Sequence, residues 1–451
     1  MSEAIVGLLG FACIVAIVVT LFKSKTLPSI AFIVFPMILA TVLVISGYYS
    51  WDNVASLIKS GFSSTGPTAA LFVFSVLYFG IMTDAGMFDV IIGKLMKLVK
   101  DNVIGVCIMT CVIALIGHLD GGGASTFCIV VPAMLPVYKK MHMRPTTLLQ
   151  IAVLAMGVLN LMPWAGPTMR AASVLGIEAG ELWQTLLPIQ ACGIVLALVH
   201  AVICGMIEKK RGAGLNGKLA QIEGEVTISE AEAAAEQNEL ARPKLFLFNI
   251  ALTLAVIALL ILDIFPSYVP FMLGVAASIL VNYPGAKMQK KIINSHAGPA
   301  LMMCSTLMGA AVLMGVLVKN VEGTTSVITC MSNLISSVLP AALGRHLPLV
   351  IGVLSVPLAL AFDTDSYFYG MLPVMIGIGE GFGIAALPIA VAMVVCRNCA
   401  TFISPMVPAT LLGVGLADVD IKDHIKNSFL WVWGFSIICM IIAIIFGIMP
   451  I

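Results

Sequence analysis

His118-Leu119-Asp120-Gly121-Gly122-Gly123-Ala124-Ser125-Thr126 is a polar, glycine-rich interruption between two apolar runs, Val103–Gly117 and Ser125–Val137. Each run falls short of the roughly 20 residues that cross a bilayer. Together they read as the arms of a re-entrant hairpin with residues 118–126 at its tip. Hydrocarbon tolerates irregular backbone only where protein or a water-filled cavity surrounds it, and ionisable groups at that depth are costly enough to read as functional. Three further stretches share this character. They are Asn160-Leu-Met-Pro163-Trp164-Ala-Gly166-Pro167-Thr168, Phe362-Asp363-Thr364-Asp365-Ser366-Tyr367 and Arg397-Asn398-Cys-Ala-Thr401-Phe-Ile-Ser404-Pro405. All four are expected to converge on one substrate site.

The surrounding composition sets the class. Of 451 residues, 60% are hydrophobic and 10% charged, with a mean hydropathy of +1.08. A soluble domain carries about a quarter charged residues. The chain therefore reads as an all-α polytopic membrane protein, with the lipid bilayer as its solvent. A net charge of +1 offers no basis for nucleic-acid binding. The 11 Cys lie mostly inside apolar segments and read as small buried hydrophobes. Cys396-Arg-Asn-Cys399 stands alone, so packing outweighs a metal or redox role. Met1-Ser-Glu-Ala runs straight into Ile5–Phe22 without a basic n-region, which reads as an uncleaved first span.

Further spans are expected at Leu27–Gly47, Pro67–Thr83, Thr146–Leu161 broken before Thr168–Ile177, and Leu182–Met206. An amphipathic piece covers Met87–Lys100. Residues 208–243 form the one long polar segment, a cytoplasmic linker with an Ala/Glu-rich stretch at 229–240 that reads as helical. The second half gives Leu245–Phe265, Val269–Tyr283, Pro299–Val318, an amphipathic Thr324–Leu339, and a hairpin of Leu347–Ala361 with Tyr367–Ile378. Ala385–Cys396 is broken before Met406–Gly413, and Phe429–Met449 closes the chain.

Landmarks recur in order. Gly66-Pro67 matches Gly298-Pro299, Asp120 matches Asp363, and Asn160-x6-Pro167 matches Asn398-x6-Pro405. Residues 1–207 and 244–451 thus read as repeats of five crossings plus one hairpin, and an odd number of crossings inverts the second repeat. Charge fits this topology with both termini outside. Of the 24 Lys and Arg, only Lys59, Lys319 and Arg345 fall outside, Arg170 and Arg397 fall within the membrane, and the others lie on inside loops or the linker.

At the first tip, Gly122 and Gly123 can expose backbone N–H groups, and Ser125 and Thr126 can open a helix whose positive end faces an anion. A glycine loop for close helix packing is the alternative. At the breaks, Asn160, Gly166, Thr168, Asn398, Thr401 and Ser404 sit where half-helix ends free carbonyls for cations and N–H groups for carboxylates; a capped proline kink is the alternative. Arg170 and Arg397 each suit a carboxylate of the substrate, or a structural ion pair with Asp120, Asp363 or Asp365. Thr364 and Ser366 complete the second tip. Asp120, Asp363 and Asp365 can contact a cation or metal complex, or carry a coupling proton, because burial disfavours the charged carboxylate. His118 reads as a proton relay or as a hydrogen-bonded packing residue. No nucleophile–His–acid set or HExxH spacing appears, so an enzyme is not expected.

The chain resembles the bacterial citrate–Mg2+/H+ symporter family within the ion transporter superfamily. The resemblance rests on Gly80-Ile-Met-Thr-Asp-Ala-Gly86, Leu119-Asp-Gly-Gly-Gly-Ala-Ser-Thr126, Val131-Pro-Ala-Met-Leu-Pro136, Gly157-Val-Leu-Asn-Leu-Met-Pro-Trp-Ala-Gly-Pro-Thr168, Val281-Asn-Tyr-Pro284 and Ser404-Pro-Met-Val-Pro-Ala-Thr410. Family members often carry a second acidic residue where this chain has Gly122. The resemblance implies proton-coupled uptake of citrate with a divalent cation (Mg2+ or Ca2+) as co-substrate, and no bound cofactor. It further implies a multi-pass protein of the bacterial inner membrane and a homodimer whose transport domains move elevator-fashion. Other organic anions driven by H+ or Na+, and an anion channel, are the competing readings.

Overall fold

The computed structural model describes residues 1–23, 26–97, 102–215, 240–262, 264–336 and 339–449. The Ala/Glu-rich stretch of the linker thus lies almost wholly outside the described residues. Among the described residues every regular element is a helix. In chain order they are α1 (Glu3–Phe22), α2 (Pro28–Ile45), α3 (Trp51–Asp84), α4 (Met87–Met96), α5 (Val103–Gly117), α6 (Gly123–Lys140), α7 (Pro145–Leu159), α8 (Gly166–Leu175) and α9 (Ala179–Arg211). The second half gives α10 (Phe246–Leu262), α11 (Tyr268–Asn282), α12 (Ala286–Val318), α13 (Val327–Ser336), the short α14 (Ala341–Arg345), α15 (Leu347–Ala359), α16 (Leu372–Gly381), α17 (Ala386–Cys399), α18 (Pro408–Leu416) and α19 (Ile421–Ile445). Leaving α14 aside, the order long, long, very long, short, hairpin, broken helix, long occurs twice, as the sequence landmarks predict. Among the described residues, 8 helices are long and apolar enough to cross a membrane.

Several boundaries differ from expectation, among them the start of the last helix at Ile421 instead of Phe429. The third span does not begin at Pro67: α3 starts at Trp51, where Ser50 and Asn53 form a reciprocal capping box, and continues through Pro67. Likewise α12 starts at Ala286 and runs through Pro299. A proline that opens soluble helices sits here inside one, because neighbouring groups in a bundle satisfy the freed carbonyl. Finally, α9 extends past the predicted linker start to Arg211. Glu208 is wholly buried and takes Arg144 at 2.6 Å, Arg211 at 3.0 Å and the Thr147 hydroxyl at 2.7 Å.

Small residues let the long helices touch. At Gly61 the Ala311 carbonyl occupies the space a side chain would need, and a Cβ on Gly315 would lie 2.5 Å from the Leu57 carbonyl. Such contacts pack membrane helices where apolar burial alone supplies no drive. The repeats exchange partners around this α3–α12 crossing: α2 lies on α12, and α11 lies on α3. The other two helix pairs close the site. The half-helix α18 packs on hairpin arm α6, and α8 packs on the start of the second hairpin's return arm.

Candidate functional site

The first hairpin turns through a single 3-10 turn, His118–Asp120, and a left-handed Gly121 (φ +70°) that a side chain would strain. Asp120 caps its own tip. It accepts the Gly122 N–H at 2.8 Å and the Ser125 hydroxyl. A Cβ on Gly122 would fall 2.5 Å from Ser125 Oγ, so a side chain there would turn that hydroxyl away from Asp120. Gly123 lies against Phe402 and Ala409 and has no room for a side chain. The Thr126 hydroxyl donates to the Gly122 carbonyl at 2.7 Å or to the His118 ring. The expected anion-facing amides are thus reduced: Gly122 N–H is spent on Asp120, and the N–H groups of Gly123, Ala124 and Ser125 open α6 without intrahelical acceptors.

The second tip repeats the device. Asp363 accepts Asp365 N–H at 2.8 Å, Ser366 N–H at 2.9 Å and the Ser366 hydroxyl at 2.7 Å. Gly122 and Asp365 therefore occupy equivalent places, each two residues after the capping Asp. The arm that follows begins with one π-helical turn, Ser366–Met371, an element frequent at functional sites.

Both tips meet both breaks. His118 is wholly buried; its Nδ1 lies 2.7 Å from Thr126 Oγ1 and its Nε2 lies 3.1 Å from Asn160 Oδ1. Trp164 Nε1 donates to the Leu119 carbonyl at 2.7 Å. Thr168 Oγ1 and Asn398 Nδ2 both donate to the Asn160 carbonyl, at 2.8 and 3.0 Å. That pair of contacts satisfies a carbonyl that the end of α7 leaves free, and it joins the two broken helices directly. Gly157 allows the approach, since its Cβ would lie 2.9 Å from the Asn398 carbonyl.

The two guanidinium groups part company. Arg170 pairs with Asp365 at 2.6 Å and folds back over Gly166, where a Cβ would meet Nη1 at 2.5 Å. The open choice for Arg170 thus resolves to an ion pair across the repeats, and Gly166 makes room for it. Arg397, fully buried, donates to Thr401 Oγ1 (3.1 Å), the Phe362 carbonyl (3.3 Å) and Thr364 Oγ1 (3.5 Å), and stands over the Tyr367 ring. Among the described residues no carboxylate lies within 4.0 Å of it. Ser404 caps the turn before α18 by accepting the Met406 N–H at 3.2 Å.

Among the described residues, four buried polar atoms at this junction have no partner: Asn160 Nδ2, Asn398 Oδ1, Arg397 Nε and Thr410 Oγ1. Buried polar groups are otherwise paired, so each such atom asks for an explanation. Thr410 was given no site role from sequence, whereas His118, read there as a proton relay or a packing residue, is hydrogen-bonded to Thr126 and Asn160. The signal for Thr410 was a hydroxyl in the first turn of the half-helix that Pro408 opens, two residues after that proline. Among the described residues, no three His, Cys, Asp or Glu side chains are grouped to hold a metal ion.

A search for relatives agrees with this architecture. A family model described as citrate transporter matches residues 5–396. The chain is 34% identical to a citrate transporter of Bacillus subtilis (strain 168), over 98% of this chain and 99% of that one. It is 32% identical to a Mg(2+)/citrate complex secondary transporter of the same organism, covering 98% of each. Among solved structures, the Alcanivorax borkumensis YdaH transporter aligns with a TM-score of 0.63 at 13% identity, over 94% of this chain and 100% of that one, a likeness of fold. Two runs of like element order, each with a polar tip between two helices and a broken helix, thus stand beside a family match over most of the length, and the chain belongs to the citrate transporter family.

Proposed function

We propose that this protein is a secondary active transporter that imports citrate, complexed with a divalent cation, by proton symport. The observation that carries this reading is the meeting of two hairpin tips with two helix breaks around buried amides whose free ends lack partners. Charge favours the complex over the bare anion. Asp365 neutralises Arg170, which leaves Arg397 as the guanidinium without a carboxylate partner. With Asp120 and Asp363 also at the tips, two guanidinium groups face three carboxylates, so a citrate trianion whose charge one divalent cation cuts to −1 is repelled less than free citrate in low dielectric. The metal in this reading is cargo. Gly123, Ala124 and Ser125 N–H groups add donors at the helix end. The coupling proton resides on one of Asp120, Asp363 and Asp365. Movement is elevator-like in a homodimer of the inner membrane, with α1–α4 and α10–α13 as scaffold.

The test is uptake of radiolabelled citrate into proteoliposomes. Uptake is expected to need Mg2+ or Ca2+, to rise with an inward proton gradient, and to fail with EDTA or a protonophore. Uptake that ignores EDTA makes free carboxylate the cargo; uptake that ignores the protonophore but needs Na+ replaces the coupling ion.

A further inference from the structure

The two unpartnered amide ends at the helix breaks are of opposite kind. Asn398 is held by its amino group, which donates to the Asn160 main-chain carbonyl at 3.0 Å. Only a donor can face a carbonyl, so the free end of Asn398 is its oxygen, an acceptor. Asn160 is held at its side-chain oxygen by His118 Nε2 at 3.1 Å, so its free end is the amino group, a donor. That sense requires a proton on Nε2. The neutral ring meets this when the Thr126 hydroxyl donates to Nδ1, at 2.7 Å, and the Gly122 carbonyl still accepts the Thr126 main-chain N–H at 3.1 Å. Among the described residues His118 has no charged hydrogen-bond or ring partner. It touches Thr126, Asn160 and the edge of the Phe402 ring, while Asp120 on its own turn is occupied by Gly122 and Ser125.

Asn160 and Asn398 are 2% and 0% exposed. An unpaired buried donor and an unpaired buried acceptor, on residues that touch each other, cost about 1–3 kcal/mol each when left empty. A ligand that presents a carboxylate oxygen and, adjacent to it, a hydroxyl satisfies both at once. Resting on the transport reading above, we propose that Asn160 and Asn398 form a subsite that reads the hydroxyl of a hydroxycarboxylate. The amino group of Asn160 donates to the carboxylate oxygen, the carbonyl oxygen of Asn398 accepts the hydroxyl proton, and His118 is the positioning residue that holds Asn160 in that sense. Both amide ends are shielded in this conformation, so the substrate reaches them when a tip lifts.

The hydroxyl makes the test sharp, because tricarballylate carries the three carboxylates of citrate without it. A site built to hydrogen-bond a hydroxyl rejects the analogue that lacks it by several orders of magnitude, since its own polar groups are left bare. In proteoliposomes at saturating Mg2+, citrate is expected to be preferred over tricarballylate by at least about 100-fold. Asn398→Ala also removes the donor to the Asn160 carbonyl and should lower uptake of both acids, but citrate more steeply, narrowing the preference for citrate by about 100-fold, with each acid measured against wild type so that metal affinity cancels. His118→Phe should raise the KM for both substrates with little change in kcat, and His118→Gln, which can still donate to Asn160, should restore it. Equal transport of the two acids by wild type overturns the subsite without any variant. So does an Asn398→Ala loss that is equal for both acids, or a His118→Gln variant no better than His118→Phe. Absence of citrate uptake by wild type would instead strike the transport reading itself, and this subsite with it.

Discussion

Asp365→Asn removes the carboxylate that neutralises Arg170. The Nε–Oδ1 separation is 2.6 Å and the side chains are 7% and 16% exposed, so solvent screens the pair weakly. At an effective dielectric of about 20, unit charges so close attract by about 6 kcal/mol. Much of that offsets the desolvation both groups have suffered, and removal of one partner leaves a net loss of about 3–5 kcal/mol. The loss should be unequal between partners. Arg170→Met is expected to cost less than Asp365→Asn, because a lone carboxylic acid can be neutral whereas a guanidinium cannot. The double variant Arg170→Met with Asp365→Leu removes both charges and should recover most of the stability. Unfolding equilibria in detergent micelles for wild type, both single variants and the double variant measure this directly. Single variants within about 1 kcal/mol of wild type, or a double variant as costly as the two singles added, would refute the reasoning.

Gly122→Ala should lower citrate uptake more than tenfold while membrane expression is kept, because its Cβ falls 2.5 Å from Ser125 Oγ and unseats the first cap; transport assays on matched protein amounts check it. Asp363→Asn withdraws a charged acceptor from two N–H groups and the Ser366 hydroxyl, a loss of about 1–3 kcal/mol at the second tip, and should abolish uptake without loss of the protein from the membrane. Gly315→Leu sets a side chain against the Leu57 carbonyl at the α3–α12 crossing and should destabilise the protein by more than about 2 kcal/mol in the same unfolding assay. Trp164→Phe keeps the edge-to-face contact with Phe271 but loses the donor to Leu119, and should cost about 1 kcal/mol.

Much of this architecture was legible because it is periodic twice over. Asp120 and Asp363, and Asn160 and Asn398, keep their order and spacing, and polar runs in apolar sequence stand out without any knowledge of contacts. Boundaries were less legible where polar residues continue a helix. Ser60, Ser63 and Ser64 hide the first half of α3, and Glu208 through Arg211 look like a linker until the buried carboxylate at 208 is seen between two arginines. Asp365 was one of three ion-pair partners the sequence offered Arg170, and the choice among them lay beyond sequence because the pair spans 195 positions and two repeats. The glycines carry the same lesson. Gly122 and Gly166 were read as contributors to a ligand site, yet each stands where a Cβ would collide with a side chain of its own segment.

The capping carboxylates at Asp120 and Asp363 have an implication for motion. Each fingertip carries its own acceptor for the amides it bares, so it can be withdrawn as a finished unit without stranding those groups in oil. What differs is the fastening. One fingertip is held to the opposite repeat by an ionic latch, Arg170 to Asp365, whereas the neighbouring helix break holds the other by neutral hydrogen bonds at His118 and Leu119. Neutral bonds of this kind contribute about 1 kcal/mol apiece, against several for the latch. Twinned backbones therefore do not carry twinned fastenings, and the two fingertips part from their neighbours at unequal cost.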